Sequence, residues 1–201
     1  MMNRNKLHER KFDFEIRSVQ TENENNELWA EGYAAKFESP TILFESKNLK
    51  VVEQINRGAF DSANMKDVIF NYNHSGKVMA RTRNQTLQLF VDDVGLLIRA
   101  RLDGTDEGRK LYQEIQGGYI DRMSFRFSIE DEKYIESSDT VEFQITKIKK
   151  LYDVSAVDIP AYDDTSIEAR RASVEEILEK RKHTSADAEA EYLLAVIRTK
   201  L

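Results

Sequence analysis

Strict alternation of apolar and polar side chains over Met123-Ser124-Phe125-Arg126-Phe127-Ser128-Ile129-Glu130 narrows the possible architectures sharply. A period of two puts Met123, Phe125, Phe127 and Ile129 on one face of a strand and Ser124, Arg126, Ser128 and Glu130 on the other. The same period recurs along the chain. Phe12, Phe14 and Ile16 alternate with charged residues, so one half-buried strand is expected there. Leu96, Ile98, Ala100 and Leu102 share a face in a strand from Gly95 to Leu102, paired in a hairpin with Thr86 to Val91 across Asp92-Asp93. Val141 to Tyr152 is a further long strand; Val154 to Ile159 continues it or follows a bend, and Pro160 ends it.

Shorter apolar runs, Leu28 to Phe37, Val51 to Ile55 and Val68 to Tyr72, read as strands, with Gly32 marking a bulge or a close backbone approach. Thr21 to Glu27 reads as a turn, residues 41–50 as an exposed loop after Ser39-Pro40, and Arg57 to Asn64 as a helical turn packing Ala59 and Phe60. Thr105 caps one internal helix that runs to about Gln116 and stops at Gly117-Gly118. Beyond residue 163 the spacing turns helical. Ser173-Val174-Glu175-Glu176 is a capping box leading Val174, Ile177, Leu178 and Arg181, and Ser185 starts a second helix carrying Tyr192, Leu193, Val196 and Ile197. The expected organisation is a strand-rich α+β domain over 11–162, a flexible N-terminus over 1–10 and a helical appendage over 163–201.

Bulk composition removes several functions. A chain of 201 residues that is 40% hydrophobic can bury one real core. Its formal charge of −6, from 30 basic and 36 acidic residues, gives no bulk attraction to nucleic acid or to an anionic membrane. The absence of cysteine removes disulfides, thiolate metal sites and thiol nucleophiles together. The polar start, Met1 to His8, does not read as a secretory signal, and no apolar run approaches membrane-spanning length. No His/Asp/Glu cluster has metal-ligand spacing, so neither a metal nor a cofactor is expected.

Three residues remain that could act together. Acyl transfer needs a nucleophile, a base and an acid that orients the base. Ser124 lies on the alternating strand, whose apolar face would hold it rigidly; the pattern read alone favours a solvent-facing serine like Ser128. His74 closes the apolar run Val68-Ile69-Phe70-Asn71-Tyr72-Asn73, whereas His8 lies in the N-terminus and His183 in a basic linker. Histidine suits a general base near neutrality. Asp153 interrupts the apolar stretch Leu151 to Val157, either buried and paired or facing solvent; Asp158 competes with it, and Asp121 is a more distant third.

In these segments the chain resembles the phage prohead maturation proteases, a family that is similar in fold to the herpesvirus assemblin proteases. The resemblance runs from about Phe12 to about Arg170. It is carried by Gly32-Tyr33-Ala34, Ile55-Asn56-Arg57-Gly58-Ala59-Phe60, Asn73-His74, Met123-Ser124-Phe125-Arg126-Phe127, Leu151-Tyr152-Asp153-Val154-Ser155-Ala156-Val157 and Pro160-Ala161. It implies a small closed or partly closed antiparallel β-barrel with surrounding helices. It also implies catalysis by His74, Ser124 and, by position, Asp153. Arg126 departs from the family, which often has glycine two residues after the serine. The implied substrate is scaffold protein, or a scaffold segment of the major capsid protein, inside an assembling prohead in the host cytoplasm. Self-cleavage and a homodimer are compatible with it. An inactive assembly protein retaining the fold is the alternative. An esterase would want a Gly-x-Ser-x-Gly elbow, which Ser124 lacks.

Overall fold

The computed structural model describes residues 7–12, 16–20, 27–158 and 174–180. Eleven strands are described: β1 (Leu7–Phe12), β2 (Ile16–Gln20), β3 (Leu28–Lys36), β4 (Thr41–Glu45), β5 (Lys50–Ile55), β6 (Ile69–Tyr72), β7 (Ser75–Arg81), β8 (Leu87–Val91), β9 (Gly95–Arg101), β10 (Arg122–Glu136) and β11 (Thr140–Val157). Helix α1 (Asp106–Gln116) lies between β9 and β10, and a second helix, α2, spans residues 174–180.

The two longest strands are the two segments with the longest alternation, and they pair antiparallel as a hairpin that forms the spine of a seven-stranded sheet. Its order is β1-β10-β11-β5-β4, with β6 also on β11 and β7 on β6. β11 is long enough to take two partners along one edge: Thr140–Ile145 runs parallel to β5, and Asp153–Ala156 runs parallel to β6. The second sheet has the order β2-β3-β9-β8 and is antiparallel throughout. The fold is thus strand-rich α+β, but the first sheet is mixed rather than antiparallel. Among the described residues neither sheet closes on itself.

The apolar faces read from the sequence meet between the sheets. Leu96, Ile98 and Ala100 from the second sheet, with Leu102 just beyond β9, join Met123, Phe125 and Phe127 from β10 in one core. Phe125 and Phe127 stack with centroids 4.6 Å apart, and Phe60 and Phe37 extend the aromatic row. Offset aromatic contacts of this kind stabilise a core beyond the area they bury, so the strand carrying Ser124 is anchored from below. A second cluster forms on the outer part of the first sheet, where Leu43, Leu49, Val51, Val141 and Phe143 meet Val174, Ile177 and Leu178 of α2.

Several expectations are corrected. Residues 41–45 form strand β4, not a loop; Leu43 is only 1% exposed because it faces α2's cluster. The strand expected across Phe12–Ile16 is two strands in different sheets, β1 and β2. Residues 7–10, expected in a flexible terminus, lie in β1 against β10. Residues 57–62 make successive turns, with Ala59 and Phe60 buried as expected. The bulge expected at Gly32 falls between Tyr33 and Ala35. The close backbone approach is at Gly95, where a Cβ would stand 2.0 Å from the Ala35 carbonyl oxygen. Helix α1 keeps its expected ends: Thr105 Oγ1 accepts from Gly108 N–H, and the positive φ that stops it is at Gly118. The Ser185 helix lies outside the described residues.

Candidate active site

Three neighbouring strands build the floor of the site. Ser124 on β10 is directly opposite Ser155 on β11, which is opposite Asn71 on β6. One step along, Arg126 faces Asp153. Residues in register on adjacent strands point to the same face, and so do residues two apart on one strand. Ser124, Arg126, Asp153, Ser155 and Asn71 therefore share one polar face, while Phe125 and Val154 point into the core.

The histidine arrives from a turn. Tyr72 pairs with Ser75, so Asn73 and His74 are the two loop residues of the β6–β7 hairpin. Their φ values are 48° and 54°, the left-handed pair that matches the twist of a tight hairpin. The loop is held at both ends. Asn73 N–H donates to Ala156 O at 3.0 Å, and Arg126 Nη1 donates to His74 O at 3.0 Å. The imidazole thereby lies over the polar face.

There Ser124 Oγ is 2.5 Å from His74 Nε2, and His74 Nδ1 is hydrogen-bonded to Asp153 Oδ1. Ser124 is 0% exposed, Asp153 6% and His74 7%. The solvent-facing alternatives for Ser124 and Asp153 are thus excluded. Burial of this kind requires each polar group to find partners, and it lowers the local dielectric so that charge–dipole contacts count for more than in water. A hydroxyl, an imidazole and a carboxylate in this chain of contacts can pass the serine proton to Nε2 while the carboxylate holds Nδ1–H.

The competing acids are elsewhere. Asp158 Oδ2 accepts from Tyr72 O–H at 2.9 Å; burial first, and then this hydrogen bond, raise the tyrosine's pKa above its usual value. Asp121 is an exposed partner of Arg122. Two members of the constellation escaped the sequence reading. Ser155 (0% exposed) has its Oγ 2.5 Å from Asn71 Oδ1, 3.1 Å from Asp153 Oδ1 and 3.1 Å from His74 Nδ1. Asn71 is 4% exposed. A signal for Ser155 was available, since Asp153-x-Ser155 places both on one face of a strand. Nothing local marks Asn71. Among the described residues no group of three or more His, Asp and Glu is arranged to hold a metal ion.

A family model described as caudovirus prohead serine protease matches residues 12–180. Among solved structures, the chain is similar to the capsid assembly protease of bacteriophage T4, at 16% identity and a TM-score of 0.48, over 77% of this chain and 98% of that one. No curated protein matches.

Proposed function

The chain belongs to the caudovirus prohead serine protease family, and on that premise we propose that Ser124 is its nucleophile, His74 its general base and Asp153 the acid that orients the base. As a member it is a serine protease of capsid maturation. The reading of the residues rests above all on Ser124 Oγ lying 2.5 Å from an imidazole whose other nitrogen is bonded to a buried carboxylate.

In this mechanism His74 Nε2 takes the Ser124 proton as Oγ bonds to the scissile carbonyl carbon. The imidazolium then protonates the leaving amine as the C–N bond breaks, leaving an acyl-enzyme. Water then gives a proton to Nε2 as its oxygen bonds to the acyl carbon, and the imidazolium returns that proton to Ser124 Oγ as the acyl C–Oγ bond breaks, releasing the acid and the free serine. Asp153 keeps Nδ1–H in place throughout and stabilises the imidazolium.

The substrate in this reading is scaffold protein, or the scaffold segment of the major capsid protein, cut inside an assembling prohead in the host cytoplasm. Cleavage of the chain itself belongs to the same proposal, as does association into a homodimer. The catalytic unit runs from β1 at residue 7 to residue 162 and the appendage is 163–201, with α2 as the appendage's docked helix. The two sheets, which share one core, correspond to a partly closed barrel of the herpesvirus-protease kind.

Ser124→Ala is expected to fold as the wild type and to lose about 10^6-fold in kcat on the cognate scaffold or capsid protein, because the three residues act as a unit. Wild-type cleavage by that variant would remove Ser124 as nucleophile. One observation favours a second reading, an inactive assembly protein: Ser124 has no exposed surface. Labelling by a fluorophosphonate that disappears in Ser124→Ala and weakens in His74→Ala supports the protease; no labelling under assembly conditions supports the rival.

A further inference from the structure

Ser155 and Asn71 lie in the innermost part of the site, yet the three-residue mechanism does not use them. We propose that they are positioning residues that fix the tautomer of His74; this rests on the assignment of His74, Ser124 and Asp153 above.

The argument begins with one proton. A serine hydroxyl has a single hydrogen to donate and two lone pairs to offer. Ser155 Oγ faces two oxygen acceptors, Asn71 Oδ1 at 2.5 Å and Asp153 Oδ1 at 3.1 Å. The shorter contact takes the proton. With its hydrogen drawn toward Asn71, Ser155 turns a lone pair toward His74 Nδ1, 3.1 Å away. Asp153 Oδ1 faces the same nitrogen and is also an acceptor. Two acceptors converging on Nδ1 require the ring proton to sit there. Nε2 is then left bare, in the state that can accept the proton of Ser124.

The sheet supports the arrangement. Asn71, Ser155 and Ser124 occupy one cross-strand row on β6, β11 and β10, so their spacing is set by main-chain pairing rather than by flexible side chains. Ser155 is fully buried and Asn71 nearly so. A buried hydroxyl left without a partner would be costly, and this one is bonded on both sides. Asp153 alone touches Nδ1 at one point. Ser155 adds a second, and Asn71 sets the polarity of that second contact.

The test combines kinetics on the cognate scaffold-bearing capsid protein with ¹⁵N NMR of the histidine rings, the His74 signals being identified by their loss in His74→Gln. Ser155→Ala is expected to lower kcat about tenfold or more with KM unchanged. It should also move the His74 ring-nitrogen shifts toward a mixture of tautomers. Asn71→Leu removes the acceptor while keeping the volume and should lose a comparable factor; Asn71→Asp keeps an acceptor and should retain more activity. Because Asn71 acts through Ser155, the double variant Ser155→Ala/Asn71→Leu should be no more than about twofold worse than Ser155→Ala alone. Wild-type kcat in Ser155→Ala, unchanged ring-nitrogen shifts, or losses that multiply in the double variant would each overturn the proposal. If Ser155→Ala does not fold by thermal melting, the Asn71→Leu and Asn71→Asp pair decides by the same NMR and kinetic readouts. Failure here leaves the Ser124 assignment standing so long as Ser124→Ala is inactive, whereas cleavage by Ser124→Ala would overturn that assignment itself.

Discussion

At the scale of single residues, His74 combines two demands that conflict. Its side chain is the proposed base, and its backbone sits at a φ of 54°, where a residue with a Cβ is disfavoured. Asparagine and histidine tolerate this region better than most residues, and Asn73-His74 uses both. Relative to His74→Ala, His74→Gly should therefore be more stable by about 1 kcal/mol, because glycine accepts positive φ freely. Thermal melting of the two variants, both expected to be inactive, measures this; equal midpoints would show that the turn carries no strain at position 74. The choice between Asp153 and Asp158 is also a matter of single residues. Five positions apart on an extended chain, they point to opposite faces. Only Asp153 shares a face with Ser155 and reaches the histidine, while Asp158 is taken by Tyr72.

At the scale of elements, the site is a hairpin loop held over a sheet floor. Pairing in register fixes the floor. The loop is held from the floor by Arg126, whose guanidinium donates to the His74 carbonyl oxygen. This side chain ties the strand of Ser124 to the turn of His74. Arg126→Ala should lower kcat about tenfold, since small misplacements of a catalytic group are amplified in rate. Its melting temperature should change little, because the residue is only partly buried. Wild-type kcat in Arg126→Ala would show that the hairpin holds His74 unaided. The strands themselves were legible where alternation was long, as in β9, β10 and β11. β4 was not, because its five residues carry one fully buried side chain and its pattern has no length over which to repeat. β7 was missed for a related reason: its first four residues are exposed, and its pairing comes from the turn at Asn73-His74 rather than from a hydrophobic face.

At the scale of the whole molecule, two cores divide the work. The larger lies between the sheets and supports the strand of Ser124; the smaller seats α2 on β4, β5 and the first half of β11. The helical spacing of Val174, Ile177 and Leu178 foretold an apolar stripe, but the surface that receives it includes β4, which read as a loop. Ile177→Asp should cost about 3 kcal/mol, because it buries an unpaired carboxylate in that cluster. The loss should appear as a lower melting temperature; an unchanged midpoint would mean that α2 contributes little to stability. The sequence by itself determined the local quantities: which segments are extended, which face of each is apolar, where α1 begins and ends, and that Ser124, His74 and Asp153 are of the right types. These follow from periodicity and capping, which act over a few residues. Only the tertiary structure decided that β11 pairs parallel with both β5 and β6, and that side chains 50 and 79 positions apart meet at the imidazole. It also decided that Ser155 and Asn71 join them. Such contacts arise from strand order and register, and these are settled by how all the apolar faces can be buried at once, a condition no short stretch of chain contains.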